Sequence, residues 1–189
     1  PSQGRTAGVL TSLHTEDLLL LPAEESLAQA VLDYYLRNRE FLSPFEPLRE
    51  ESFYTLEHQK EALAAQRGHR ENREAYQFYI FHKEQPRCVI GAAALNGVVW
   101  GCFESCFLGY KLDGEMTNRG YMTQAVLAVT DFAFKALGLH RVEANVMPRN
   151  GASLRVLQKC GYQNEGLSRR YLKINGVWED HIHMVRLNG

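Results

Sequence analysis

This chain of 189 residues carries almost no net charge: 21 basic and 22 acidic side chains leave it at −1. Nucleic-acid-binding proteins present a basic field, so specific nucleic-acid binding is not expected, and ribosome association would need a local patch. Cysteine is scarce. Cys88, Cys102, Cys106 and Cys160 form no C-x-x-C pair and lack the density of a disulfide framework. Unpaired thiols suit a reducing cytoplasm, which is the expected compartment. Long apolar runs are missing too. None approaches the ~20 residues that a spanning helix needs, and no basic stretch precedes an apolar core near the N-terminus, so neither a membrane nor a signal peptide is expected. The opening Pro1 suggests processing or trimming.

What remains is ordinary for a globular enzyme: 45% hydrophobic and 23% charged. One domain is expected, over residues 15–189, large enough to bury about 70% of its unfolded surface. Residues 1–14 are polar and are expected to form a flexible N-terminal segment.

A strand is expected at residues 17–21. An apolar stripe at Leu27, Ala30, Val31, Tyr34 and Tyr35 predicts a helix over residues 23–39. Pro44 and Pro47 then interrupt helical geometry. The connector they stiffen, FLSPFEPLREES, is long and aromatic, as the wall of a site would be. A helix follows at 56–68, then strands at 75–82, 87–100 and 102–112, with a turn or a bulge at Asn96-Gly97. A helix over 123–137 ends at Gly138. A strand at 142–147 leads to a helix over 151–160, with Asn150 as its N-cap and Gly161 as its stop. Two strands around Asn175-Gly176 close the chain. The pattern is an α/β (α+β) fold, a mixed sheet with helices on both faces.

The informative stretch is TNRGYMT, residues 117–123. Gly120 can adopt backbone angles closed to other residues, and successive N–H groups before a helix form an anion nest, aided by the helix dipole. Arg119 adds a cation and Thr123 a hydroxyl. Alone, such a turn is equally a plain strand-to-helix connection. A strand and a second helix opened by Asn150 and Ser153 sharpen it.

Together these segments resemble the GNAT superfamily of N-acetyltransferases, whose mostly antiparallel sheet holds acetyl-CoA between two splayed parallel strands. The superfamily's pyrophosphate loop, Gln/Arg-x-x-Gly-x-Gly/Ala, falls on Thr117, Asn118, Arg119, Gly120, Tyr121 and Met122. Thr117 departs from the usual Gln or Arg, and Met122 from the small residue. NREFLSPFEPLREES, CFLGY, LHRVEANVMPRNGAS and EGLSRRYLKINGVWEDH resemble the RimJ/RimL branch, the ribosomal-protein-alanine N-acetyltransferases, across roughly residues 17–187.

The resemblance implies acetyl-CoA as cosubstrate, no metal, and a protein N-terminus as acceptor, from a ribosomal protein that begins in alanine. It implies a monomer or homodimer. Tyr110, Lys111 and Leu112 would offer backbone groups to the pantetheine arm, and Asn150 would contact it. Many members protonate the departing thiolate with a tyrosine four residues before the Gly-Phe or Gly-Tyr that follows the second helix. Here that position is Leu157. Ser153 resembles the serine that these branches place near the CoA sulfur; equally, it is a first-turn serine satisfying helix amides.

Acetyl transfer needs a neutral amine, a polarised carbonyl and a stabilised thiolate. An α-amine with a pKa near ~7.7–8.0 is roughly a tenth neutral at pH 7, so a modest base suffices. Glu143 and Asn145 share one face of a strand. Glu143 is a candidate base or the partner of Arg141 or Lys135. Asn145 stands where a related branch has its glutamate. Glu104, Glu165 and Asp180 are weaker candidates. Tyr171 resembles an acceptor-side residue. His181 and His183 share a face but lack a third ligand at zinc spacing, and Trp178, Phe132 and Phe134 read as core or half-buried aromatics. The rivals are acetylation of a small amine or antibiotic, and a catalytically weak CoA-binding module in ribosome assembly.

Overall fold

The computed structural model describes residues 12–189. Most of the segment expected to be flexible therefore lies outside the described residues. Its end does not: strand β1 (Leu13–His14) pairs with β2 (Leu18–Pro22), which continues into β3 (Tyr76–His82) and β4 (Val89–Val99). The sheet goes on through β5 (Ser105–Leu112) and β6 (Arg141–Val146), then the hairpin of β7 (Gln163–Ile174) and β8 (Val177–Leu187). The order is β1-β2-β3-β4-β5-β6-β8-β7, and only β5 and β6 pair in parallel among the described strands.

Each face of the sheet is covered. Helix α4 (Tyr121–Asp131) and helix α5 (Gly151–Lys159) bury Val126, Val129 and Leu157 against Leu108, Val142 and Ala144. Helix α1 (Ala28–Arg37) and helix α3 (Leu56–Glu71) bury Val31, Tyr34 and Leu63 against Tyr79, Phe81 and Ala92 on the other face. Alternating side chains along the strands supply both cores.

Several boundaries differ from expectation. The first helix stops at Arg37, because buried Asn38 turns its side chain on the backbone: Nδ2 donates to the Tyr34 carbonyl, and Oδ1 accepts from Gly114 N–H at 2.9 Å. A one-turn helix, α2 (Arg39–Leu42), follows. The 56–68 helix runs on to Glu71, capped by Thr55, whose hydroxyl accepts from His58 N–H at 3.2 Å. At Asn96-Gly97 the bulge prevails over the turn: β4 is continuous, its register slips, and Gly97 has φ +56°. Strand β5 starts only at Ser105, after a turn in which Glu104 has φ +43°. The 123–137 helix instead begins at Tyr121 and finishes as a π turn, Phe132–Ala136.

Among the described residues no helix is long and apolar enough to cross a membrane, and no three His, Cys, Asp or Glu side chains gather as a metal site.

Candidate active site

Strands β5 and β6 pair over three positions only: Ser105 with Arg141, Cys106 with Val142, and Phe107 with Glu143. Beyond them β5 is held by β4 alone and β6 by β8 alone. The sheet therefore has an internal opening. Tyr110, Lys111 and Leu112 pair with Ala93, Ala92 and Gly91 along one edge, which leaves their other edge facing that opening.

The opening has two chemically distinct faces. On the face of α4 and α5, Thr117 to Gly120 lead into α4. Gly120 is its N-cap in the left-handed conformation (φ +78°), no side chain caps the first turn, and a Cβ on Gly120 would meet nothing within 4 Å. The amides of Tyr121, Met122 and Thr123 thus sit at an uncapped helix start, where the dipole favours an anion. Asn118 (φ +61°) and Arg119 are exposed beside them, while the Thr117 hydroxyl is spent on the Gly114 carbonyl at 3.2 Å.

Helix α5 begins beside this mouth. Asn150 is its N-cap, its Oδ1 accepting from Ser153 N–H at 3.2 Å. The Ser153 hydroxyl is hydrogen-bonded to the Tyr110 phenol of β5. Burial pushes the Tyr110 phenol well above its ordinary pKa, outweighing the opposing effect of the Ser153 bond, so it stays protonated.

On the other face the Lys111 ammonium pairs with Glu46 at 2.6 Å and lies over the Tyr35 ring. The double-proline connector forms a wall here. With Tyr35, Arg39, Tyr54 and Asn175 it encloses a cavity of ≈ 180 Å³, and the β7–β8 turn is fastened to it by Asn175 N–H on the Glu46 carbonyl at 2.7 Å. Arg149 adds a second tie, donating to the Pro44 carbonyl at 3.2 Å while pairing with Glu179 at 2.7 Å.

Glu143 is buried on the same side of the sheet, and both of its oxygens are engaged, by Arg141 at 2.9 Å and by His183 Nδ1 at 3.2 Å. Of its two suggested ion-pair partners the structure selects Arg141; Lys135 pairs with Asp131. Asn145 Oδ1 also contacts His183 Nδ1, at 2.6 Å, and Tyr171 stands edge-on to the His183 ring at 5.0 Å between centroids. The weaker candidates are dispersed. Glu104 is exposed before β5, Glu165 is 3.5 Å from Arg141, and Asp180 accepts from Arg170 N–H.

Comparison with known proteins decides the family. The acetyltransferase (GNAT) domain matches residues 17–163. A probable N-acetyltransferase of Bacillus subtilis, YjcK, is 40% identical over 93% of this chain and 97% of its own. The ribosomal-protein-S5-alanine acetyltransferase of Vibrio fischeri superposes with a TM-score of 0.90 at 34% identity, covering 94% of this chain and 97% of that one. RimJ of Mycobacterium smegmatis, solved with CoA-disulfide, superposes at 0.84 with 27% identity over 90% and 81% of the two chains. The chain belongs to the GNAT family. It is an N-acetyltransferase by that membership.

Against the GNAT pattern two departures now have a structural explanation. Met122 points its side chain into the core at 8% exposure, so it does not crowd the mouth as a surface methionine would. Leu157, at the tyrosine position, is completely buried, and burying such a side chain contributes ~2 kcal/mol. A phenol nevertheless reaches Ser153, from Tyr110. The sequence pointed to Tyr110 for its backbone groups alone and assigned His183 no role. Strand alternation places Tyr110 with Cys106 and Leu108 on one face, but nothing local shows Ser153 opposite it.

Proposed function

We propose that this enzyme transfers the acetyl group of acetyl-CoA to the N-terminal amine of a protein in the cytoplasm, with an alanine-initiated ribosomal protein as the leading acceptor. The observation that carries the reading is the Tyr110–Ser153 hydroxyl pair beside the β5–β6 opening, next to the uncapped start of α4. Acetyl-CoA supplies a thioester whose carbonyl carbon the amine attacks directly, with no acyl-enzyme. The α4 mouth, from Thr117 to Thr123, receives the diphosphate, and Asn150 and the free edge of Tyr110–Leu112 hold the pantetheine arm. A β5 amide near Tyr110 polarises the carbonyl. Ser153 donates to the departing sulfur, and the protonated Tyr110 phenol supports that hydroxyl.

The acceptor assignment draws on the Vibrio fischeri enzyme, named for ribosomal protein S5 alanine, and the donor on the CoA-disulfide bound to the mycobacterial RimJ. The connector cavity is not the acidic pocket that a polycationic antibiotic would fit: Arg39 and Arg49 line it with one acid, Glu46. Thiol release from acetyl-CoA is the test, with peptides beginning in Ala, Ser or Met, Nα-blocked controls, and small amines. Release is expected with a free Ala terminus. No release with any free N-terminus refutes the protein-acceptor reading, and release with small amines alone selects its rival.

A further inference from the structure

His183 lies where three strands converge, and its contacts define which nitrogen carries the proton. Glu143 Oε2 and Asn145 Oδ1 both approach Nδ1, at 3.2 and 2.6 Å, and both only accept. Nδ1 therefore bears the hydrogen. That leaves the Nε2 lone pair to accept from the Ser168 hydroxyl, at 2.6 Å. Ser168 is half-buried on β7, where the register slips between Ser168 and Leu172 and Arg170 takes φ +47°, its N–H bonded to Asp180. A bulge of this kind re-aims side chains beside a site.

The remaining groups around the ring are Tyr171 from β7 and Arg141 from β6, the latter acting through Glu143. His181, on β8 with His183, lies 6.0 Å from the Tyr171 ring between centroids. The buried or half-buried carboxylates Glu46, Asp113 and Glu143 are each already paired with a cation, Lys111, Arg37 and Arg141 respectively. His183 Nε2 faces only a hydroxyl. The network also abuts the opening, because β6 leaves β5 at Glu143.

We propose that His183, oriented by Glu143 and Asn145, takes up the proton of the acceptor ammonium through the Ser168 hydroxyl. The ammonium gives a proton to Ser168 Oγ as Ser168 passes its own to His183 Nε2. The imidazolium returns that proton to solvent, and the neutral amine forms the C–N bond as the C–S bond of the thioester breaks. The second N–H proton leaves by the same Ser168–His183 route, while the departing thiolate takes the Ser153 hydroxyl proton, which Ser153 recovers from solvent. This rests on the reading of the enzyme as an amine acetyltransferase, not on which amine it accepts.

Two measurements test it. Long-range nitrogen–proton NMR of the histidine rings in the wild-type enzyme should show His183 as the Nδ1–H tautomer; an Nε2–H tautomer overturns the relay whatever the substrate. The pH profile of kcat/KM is then compared for wild type, His183→Gln and Ser168→Ala, with whichever amine the enzyme accepts. His183→Gln is expected to lose about 100-fold at neutral pH and to abolish the imidazole-controlled acid limb, in line with general-base effects. Ser168→Ala, on the exposed edge strand, should lose about tenfold with the limb displaced. An unchanged acid limb in His183→Gln refutes the proposal. If the acid limb follows His183 with small amines while no peptide is acetylated, the relay stands and the protein-acceptor reading falls.

Discussion

Replacing Gly120 by alanine separates backbone strain from ligand exclusion, because a matched control exists in the same helix assembly. Gly120 (φ +78°) opens α4, Gly138 (φ +70°) follows its π turn, and a Cβ at either position would meet nothing within 4 Å. Neither substitution creates a clash. Each forces an L-residue into left-handed geometry, at a cost of ~1–2 kcal/mol. For a chain of this size that lowers Tm by roughly 2–8 °C in both variants. The two sites lie about 25 Å apart along the helix at ~1.5 Å per residue, so only the Gly120 methyl stands over the first-turn amides. A diphosphate held off by that methyl loses one charge-assisted hydrogen bond, about 1.5–3 kcal/mol, which weakens CoA binding by roughly 10- to 100-fold. Calorimetric titration with CoA, alongside thermal unfolding, reads both quantities. Gly138→Ala should bind CoA as wild type does. Equal CoA affinity in the two variants, at whatever level, refutes the placement of the diphosphate at the α4 mouth.

Tyr110→Phe keeps the ring and removes the hydroxyl bonded to Ser153. It should lower kcat about 10- to 100-fold with little change in KM, at or below the low end of general acid catalysis as suits a group that supports the donor, and steady-state kinetics showing full kcat would make the phenol purely structural. Asp113 offers a pH test. Burial works to raise its pKa, but the Glu115 N–H, the Arg37 guanidinium and Asn38 outweigh it and hold the carboxyl below its ordinary value. A carboxyl depressed in the folded state stabilises fully above the unfolded pKa of ~3.9 and loses that contribution as pH falls through the folded value. Asp113→Asn should therefore be less stable at neutral pH and show a flatter loss of stability below pH ~4 in denaturant melts. A pH dependence identical to wild type would refute this.

Signals confined to a few neighbouring residues were legible in the sequence. The glycine before α4, the Asn150 cap and the Asn175-Gly176 turn each declare themselves through local backbone geometry, and each stands where periodicity and turn chemistry put it. Features set by distant partners were not. Asn38 ends α1 because Gly114, 76 positions later, donates to it. The Tyr110 phenol acquires its meaning from Ser153 on a helix 43 residues away. His183 is an unremarkable strand histidine until β6 and β7 bring Glu143, Asn145 and Ser168 around it. The spacing of His181 and His183 revealed their common strand and face but not the partners that orient the His183 ring.

The sheet itself divides the reaction. Tyr110 and Ser153 occupy the face of α4 and α5, while Lys111, Glu46, Glu143 and His183 occupy the face of the connector and the β7–β8 hairpin. The opening where β5 and β6 part lies between these two groups. On the reading proposed above, a thioester threaded from the α4 side presents its sulfur to the hydroxyl pair and its carbonyl carbon to an amine arriving from the opposite side. The proton removed from the amine and the proton delivered to the sulfur then travel on different faces. On that reading Ser153, one turn before Leu157 on the same helix, donates to the sulfur with the Tyr110 phenol of β5 behind it, so position 157 is free to bury a leucine. The Ser153–Tyr110 hydroxyl pair then takes the role of the second-helix tyrosine on the same face of the sheet, and the acceptor side is unaffected.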